Sequence, residues 1–425
     1  MAELTIDSIA AGGDGVGRID GDAGSIVTFV PRSAPGDRVR ARVEVRRRFA
    51  RGIIEEILMP SDQRVDAICY HYRVDRCGGC QLQHMSYDAQ LAAKRAIIHD
   101  AIARIGKRTL SELPPIDASD KQWRYRRKLT LALRARRTDR ETTWIIGLRA
   151  YDDPNDVFQL NDCPITDERV LRVWREVMDA SRDFPPADEL RASVRLLDAS
   201  PSDGERREPG ASIVMEGGNA WPARRAFFAA VPSADALWWK PAHRPASLVA
   251  ERGTHRASAS FGQVNEGVGR QLHDYVVGRA RSHEPKTVVD AYAGTGATAI
   301  PLAAGGTRVL AIESDRAAAD QCGARLPSGS RAIVARVEDA IADALPADVV
   351  LLNPPRVGLH ERVCRVLETV SVPPRGLVYV SCDPATLARD LARLGRYRIA
   401  SLRAFDMFPQ TAHVETVCEL VPGAA

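Results

Sequence analysis

The sequence predicts a multidomain α/β protein: a small β-barrel over residues 1–60, a central α+β domain over 61–255, and a doubly wound, mostly parallel sheet over 256–425. Three observations carry that prediction. Short alternating runs broken by turns fill the first 60 residues, mixed strand and helix patterns interspersed with cysteines follow, and after residue 285 apolar strands alternate with helix-like stretches. With 425 residues and 45% hydrophobic content the chain can build two or three cores, which excludes disorder of the whole.

In the first part, LTIDSIA, SIVTFV, VRARVEV and RGIIEEIL read as strands, with the glycine-rich run GGDGVG (12–17) and PGD (35–37) as turns. That spacing predicts a closed barrel rather than a flat sheet. Residues 86–104 have helical period, with Leu91, Ala92, Ile98, Ile102 and Ile105 on one face, and the helix is assigned to the central domain. LTLAL, TTWIIGL, DVFQL, ASVRLL and SIVME are strand-like, a helix is expected around 165–180, and ASPSDGERREPG (199–210) reads as an exposed loop.

The N-terminal MAELTIDSIA has neither the basic start nor the apolar core of a signal peptide, and no run approaches a membrane span, so a soluble, cytoplasmic protein is expected. Eight cysteines in such a compartment are read as ligands, nucleophiles or core residues rather than disulfides. Residues 1–140 carry 26 Lys and Arg against 18 Asp and Glu, so the basic excess lies at the N-terminal end. Its densest stretches are KQWRYRRK (121–128) and RARRTDR (134–140). Cations interleaved with Trp123 and Tyr125 suit RNA phosphate and unstacked bases, and equally suit an Arg-rich solvated strand face.

The first apolar strand of the third part runs into DAYAGTGATAIPLA (290–303), where Gly294 and Gly296 let a ligand approach the backbone closely. Glu313 ends the next strand about twenty residues on, placed to hold ribose hydroxyls. A nicotinamide cofactor is the rival, but GTGATA lacks the third glycine of that fingerprint, so S-adenosylmethionine fits better, with Val337, Glu338 and Asp339 as an adenine contact. NPPR (353–356) resembles the Asn-Pro-Pro-aromatic motif of amino-group methyltransferases except that Arg356 replaces the aromatic residue.

Two sets of cysteines have chemical potential. Cys69, Cys77, Cys80 and Cys163 combine a C-x2-C pair with a distant Cys-Pro, a set open to structural zinc or to an iron–sulfur cluster. Cys382, in YVSCDPATLARD (379–390), is a buried filler, a metal ligand or a nucleophile on its local context, whereas Cys322, Cys364 and Cys418 read as core. Asp383 is placed to cap the helix opened by Pro384 or to hold a base.

Together these motifs resemble the RNA uracil-5-methyltransferase family, in its ribosomal-RNA branch with a TRAM domain and a [4Fe-4S] cluster. Residues 1–60 are similar to TRAM, and the cysteines with QLQH (81–84) and DCP (162–164) to the cluster segment. FGQVN (261–265), VSCDPATLARD (380–390) and FPQTAHVET (408–416) are similar to the catalytic domain, a Rossmann-like class I methyltransferase fold. Beside the cofactor-loop glycines Gly294 and Gly296, the resemblance implies S-adenosylmethionine contacts from Gln263, Tyr292, Glu313 and Asn353, cluster ligation by Cys69, Cys77, Cys80 and Cys163, Cys382 as nucleophile and Glu415 as base. It also implies methylation of carbon-5 of a uridine in 23S rRNA, with tRNA as the alternative substrate; a monomer is expected. The family usually has Asp where Asn353 stands and a shorter gap between its first two cluster cysteines. The rivals are amino-group methylation and a non-catalytic RNA-binding module.

The chemistry requires a thiolate to add to carbon-6 so that carbon-5 becomes nucleophilic, and a base to remove the carbon-5 proton afterwards. At an unperturbed cysteine pKa of about 8.5 the thiolate costs about 2 kcal/mol at neutral pH. A place at the N-terminal end of a helix is expected to lower that cost.

Overall fold

Alternation of buried and exposed residues closes the first five strands into a barrel: β1 (Ala2–Ile9), β2 (Gly15–Gly21), β3 (Gly24–Val30), β4 (Arg38–Val45) and β5 (Ala50–Met59), in the order β1-β2-β3-β5-β4. Leu4, Ile6, Val30, Val39 and Ala41 fill it. Part of the run expected to be only a turn is strand: Gly15 and Gly17 pair with Ile9 and Ile6, and also with β3, so partners on both sides override the weak strand preference of glycine. The computed structural model describes residues 1–21, 24–138, 142–197, 210–252 and 263–423. The loop expected over 199–210, except Gly210, together with Phe261, Gly262, Asp139 and Arg140, lies outside the described residues.

The chain divides into two compact units, the first comprising Met1–Val65, His84–Asp120 and Gly267–Ala425, the second Asp66–Gln83 and Lys121–Glu266. After the barrel come the helix Tyr87–Arg104 and the short strand β6 (Ile116–Asp117), both in the first unit. This differs from the expected boundary at 61–255, which put the helix in the central domain. Its buried side is also different, because Ala89, Gln90, Ala93, Lys94, Ile97, Ile98, Ala101 and Ile102 are covered while Ala92 and Ile105 are exposed. Two polar side chains hid that face from a reading of apolar spacing.

The second unit is built on β7 (Lys128–Arg137), β8 (Thr142–Arg149), β9 (Val157–Gln159), β10 (Glu189–Leu196), β11 (Ala211–Glu216), β12 (Ala236–Lys240) and β13 (Ser247–Glu251), ordered β13-β12-β11-β10-β7-β8-β9. The helix Glu168–Asp179 covers it through Val170, Leu171, Val173, Trp174 and Val177.

In the first unit, β14 (Thr287–Ala291), β15 (Arg308–Glu313), β16 (Arg331–Val334), β17 (Val349–Leu352) and β18 (Gly376–Ser381) are parallel. β20 (Glu415–Pro422) is antiparallel to β18 and to β19 (Tyr397–Phe405), and β6 joins the edge parallel to β19. The order is β16-β15-β14-β17-β18-β20-β19-β6. Because the order switches direction at β14 and β17, a crevice opens beyond their carboxyl ends, where ligands bind in doubly wound sheets. One face is covered by the helices Glu361–Thr369, Pro384–Arg393 and Tyr87–Arg104, the other by the helix Glu266–Arg281 and its neighbours. Among the described residues no helix is long and apolar enough to cross a membrane.

Candidate active site

The crevice begins with the glycine loop after β14. Gly294 has φ +55 and a methyl added there would meet nothing within 4 Å, whereas Gly296, at φ +90, would drive a Cβ to 2.8 Å from Cys322 Sγ. One glycine leaves room toward the crevice and the other lets the loop pack on the core. The Gly294 N–H donates to Glu313 Oε2 at 2.9 Å, and Glu313 Oε1 accepts from Asp315 N–H and Ser314 Oγ, so the carboxylate is fixed with a lone pair to spare. Behind the loop, Asp290 is buried; burial pushes its carboxyl up to about 7, opposed by hydrogen bonds from Thr298 Oγ1 at 2.5 Å and the Ala299 N–H. Tyr292, at φ +66, is half-buried, and burial followed by the Glu338 carboxylate raises its phenol pKa. An open loop backed by a fixed carboxylate fits a nucleoside-bearing cofactor. Of the expected adenine contacts, Val337 is buried, Asp339 pairs with Arg362 at 3.0 Å, and Glu338 pairs with Arg336 at 2.5 Å while its charge acts on Tyr292. Gln263 belongs to the second unit and is partly buried there.

Asn353 follows β17 with an exposed side chain, and its N–H donates to the Ala291 carbonyl at 3.3 Å. The loop beyond it is strapped to the helix Pro384–Arg393. Thr386 Oγ1 donates to the Arg356 carbonyl, Arg389 Nη2 to the Val357 carbonyl, and the Leu359 N–H to Asp390 Oδ2. The Tyr379 hydroxyl donates to that same oxygen at 2.8 Å. Asp390 and Tyr379 were not singled out in the sequence, since nothing in the spacing says which polar residue of an amphipathic helix is turned inward.

Cys382 is the residue after β18, Glu415 the first residue of β20, and Ser381 is paired with Thr416. Both residues thus adjoin that pair, close enough for the Glu415 charge to act on the Cys382 thiol. Burial pushes the Cys382 thiol up and the Glu415 charge adds to the rise, opposed by Arg356. Burial likewise pushes Glu415 up to about 7, again opposed by Arg356. The expectation that the helix N-terminus would make the thiol unusually acidic is therefore corrected: desolvation and a facing carboxylate outweigh it. Asp383 caps the helix, its side chain accepting from the Thr386 N–H at 2.9 Å with Pro384 following. Cys322, Cys364 and Cys418 are buried as expected.

In the second unit Cys69 and Cys80 share a small core with Tyr72, Tyr125 and Ile165, with Cys163 and Trp123 packed against it. The loop 77–80 is anchored by the bridge between Cys77 and Ala150 and by the Gly78 N–H to the Arg149 carbonyl at 3.0 Å. Arg124 grips Asp162 with two bonds, of 3.0 and 3.1 Å, and donates to the Cys163 carbonyl. The KQWRYRRK stretch thus serves the cysteine segment: Tyr125 is 3% exposed, and Arg127 is buried, donating to Glu266. Neither offers the exposed ring or cation that the RNA reading expected of them. None of the four cysteines is in a disulfide, and burial followed by the neighbouring Cys163 raises the thiol pKa of both Cys69 and Cys80. A thiol-only donor set of this kind fits a thiolate-bound metal. Among the described residues, however, no three His, Cys, Asp or Glu side chains already stand in a metal-holding arrangement.

The fold and crevice define a Rossmann-like class I methyltransferase domain accompanied by a small N-terminal barrel. The profile of the family described as tRNA (Uracil-5-)-methyltransferase matches residues 316–421, and that of the TRAM domain matches residues 2–54. An uncharacterized RNA methyltransferase of Thermosynechococcus vestitus is 32% identical, over 98% of this chain and 97% of its own. A 23S rRNA (uracil(1939)-C(5))-methyltransferase of Dichelobacter nodosus is 29% identical, over 97% of each chain. The solved structure of a Pyrococcus abyssi tRNA (uracil-54, C5)-methyltransferase in complex with S-adenosyl-L-homocysteine shares the fold, with a TM-score of 0.68 and 23% identity over 98% of this chain and 100% of that one. The chain belongs to the RNA uracil-5-methyltransferase family, in a form that carries a TRAM domain.

Proposed function

We propose that this protein transfers the methyl group of S-adenosylmethionine to carbon-5 of a specific uridine in 23S rRNA through a covalent bond between Cys382 and carbon-6. The observation that carries the reading is the placement of Cys382 and Glu415 on facing strand ends, with the Arg356 charge acting on both.

The Cys382 thiolate adds to carbon-6 of the uracil, and the electron pair of the 5,6 double bond moves toward the carbonyl at carbon-4. When bound, S-adenosylmethionine supplies the electrophilic methyl group that carbon-5 then takes. The Glu415 carboxylate removes the carbon-5 proton; that bonding pair re-forms the double bond and expels the Cys382 thiolate. A base with a pKa near 7 suits this step at neutral pH. Arg356 stabilises both anions before the substrate arrives. Tyr292, Gly294, Gly296, Glu313 and Asn353 hold the cofactor in this reading. A side-chain amide at 353 in place of a carboxylate offers both a donor and an acceptor there.

Cys69, Cys77, Cys80 and Cys163 would hold a [4Fe-4S] cluster whose task is to order the second unit for RNA rather than to transfer electrons, because methyl transfer needs no redox step. The protein acts as a cytoplasmic monomer. The Dichelobacter nodosus relative supports ribosomal RNA, while the family's description and the Pyrococcus abyssi fold keep tRNA as the second reading. The test is nucleoside mass spectrometry of ribosomal and transfer RNA from a deletion strain. Loss of 5-methyluridine from one 23S rRNA fragment supports the proposal; loss confined to tRNA transfers it to the second substrate, and loss of an N-methylated base instead overturns it.

A further inference from the structure

The residues between β19 and β20, numbers 406–414, end at Glu415, and Glu415 itself is the register partner of Phe405 at the end of β19. A loop that delivers a base to a reacting carbon must be held to within a fraction of an ångström. What holds this one is the helix Tyr87–Arg104, more than three hundred residues away in sequence. Lys94 and Asp406, both fully buried, form an ion pair at 2.5 Å, and Lys94 Nζ also donates to the Phe408 carbonyl at 3.0 Å. The Tyr87 hydroxyl donates to the other Asp406 oxygen at 2.8 Å and accepts from the Ser119 N–H.

Four residues on, Gln410 adopts φ +72, a left-handed conformation that a non-glycine residue takes at a cost. Its amide is matched reciprocally by Gln90: the Gln410 N–H donates to Gln90 Oε1 at 2.9 Å, and Gln90 Nε2 donates to Gln410 Oε1 at 3.0 Å. Both glutamines are buried, at 1% and 2% exposure. Thr411 Oγ1, accepting from the His413 N–H and donating to the Phe408 carbonyl, tightens the remaining turn toward Glu415. Burying an ion pair and two amides is weak evidence for stability, since apolar packing does as well or better, and is more readily explained by a demand for one conformation.

We infer that Tyr87, Gln90 and Lys94 are positioning residues for the proton-abstraction step: they lock residues 406–414 so that Glu415 meets the carbon-5 proton. The inference rests on the proposed role of Glu415. If it holds, loosening the lock slows release of the methylated RNA from Cys382 and leaves formation of the Cys382 bond intact. A purely structural role would lower stability and leave the balance of the two steps unchanged.

The experiment measures, with S-adenosylmethionine and unmodified RNA, the steady-state fraction of enzyme in a denaturant-stable RNA adduct together with the single-turnover rate of adduct formation. Gln90→Met and Tyr87→Phe are compared with Glu415→Gln and with Leu367→Ala, a core truncation in the helix Glu361–Thr369. The expected result is turnover lower by about tenfold in Gln90→Met, adduct fraction higher by about threefold or more, and adduct formation within about twofold of the native rate, a partial loss of a general base. Tyr87→Phe removes a single hydroxyl and carries the test should Gln90→Met fail to fold. Adduct accumulation in Glu415→Gln without any in Gln90→Met or Tyr87→Phe, or an equal shift in Leu367→Ala, overturns the positioning role alone. Absence of accumulation in Glu415→Gln overturns the role of Glu415 and the inference with it.

Discussion

Cys382 follows the last residue of β18 and Glu415 opens β20, each next to one member of the Ser381–Thr416 pair, and the Glu415 charge acts on the Cys382 thiol. A carboxylate so placed raises the cost of ionising the thiol, and the Arg356 cation, which acts on both groups, offsets part of it. The charge on Glu415 is one of the causes that raise the Cys382 thiol. Glu415→Gln should therefore lower the pH at which Cys382 is alkylated by iodoacetamide, read by mass spectrometry of the modified peptide. An unchanged alkylation profile would show that the two side chains are not coupled.

Arg356 lowers both pKa values, so Arg356→Met should raise both. Both groups act as anions, so the ascending limb of the pH–rate profile, which spans the Glu415 ionisation near 7 and the Cys382 ionisation above it, should move to higher pH. Single-turnover methylation between pH 6 and about 9 checks this direction. A fall in rate with no shift of the limb would mean that Arg356 acts only in binding RNA.

Asp290 and Glu415 are carboxyls raised to about 7 in the folded chain from ordinary values of 3.8 and 4.5. Between those values the folded state holds more protons than the unfolded one, so each group makes stability fall as pH rises through this window. The difference in Tm between the native protein and Asp290→Asn should accordingly change in favour of the variant from pH 5 to about 8, and likewise for Glu415→Gln. Differential scanning calorimetry across that range reads the sign.

The two crevice glycines should behave differently. Gly296→Ala meets Cys322 and Ile300 at 2.8 Å in a left-handed backbone and should cost about 1–3 kcal/mol of stability. Gly294→Ala meets no atom within 4 Å, so its stability cost is limited to the left-handed conformation, about 1 kcal/mol, and its methyl enters the open crevice. Calorimetric titration with S-adenosylmethionine should show the larger loss of affinity per unit of stability lost for Gly294→Ala.

The cluster assignment is checked by metal content. Protein purified without oxygen should carry about four irons per chain and a brown chromophore, and Cys80→Ser should lose both. A colourless protein with one zinc per chain would replace iron with a structural zinc site.

Much of this architecture was legible because it rests on local patterning. The barrel strands alternate, the five parallel strands are short apolar runs, and Asp383-Pro384 is a plain helix start. What was not legible depends on pairing between distant residues. The helix 87–104 read as apolar, yet its buried side includes Gln90 and Lys94, whose partners Gln410 and Asp406 lie far along the chain. Tyr125 looked like a base-stacking ring because sequence cannot tell an aromatic residue that packs beside Cys69 and Cys80 from one that faces solvent. The acidity of Cys382 was misjudged for the same reason: the helix start is local, but Glu415 reaches the thiol only through the β18–β20 ladder.

The central claim, a covalent route through Cys382, is tested most directly by incubating the protein with S-adenosylmethionine and RNA substituted with 5-fluorouridine, whose carbon-5 fluorine cannot be removed by Glu415. The native protein should form a denaturant-stable RNA adduct whose peptide maps to Cys382, and Cys382→Ala should form none. An adduct or continued methylation in Cys382→Ala would contradict the account.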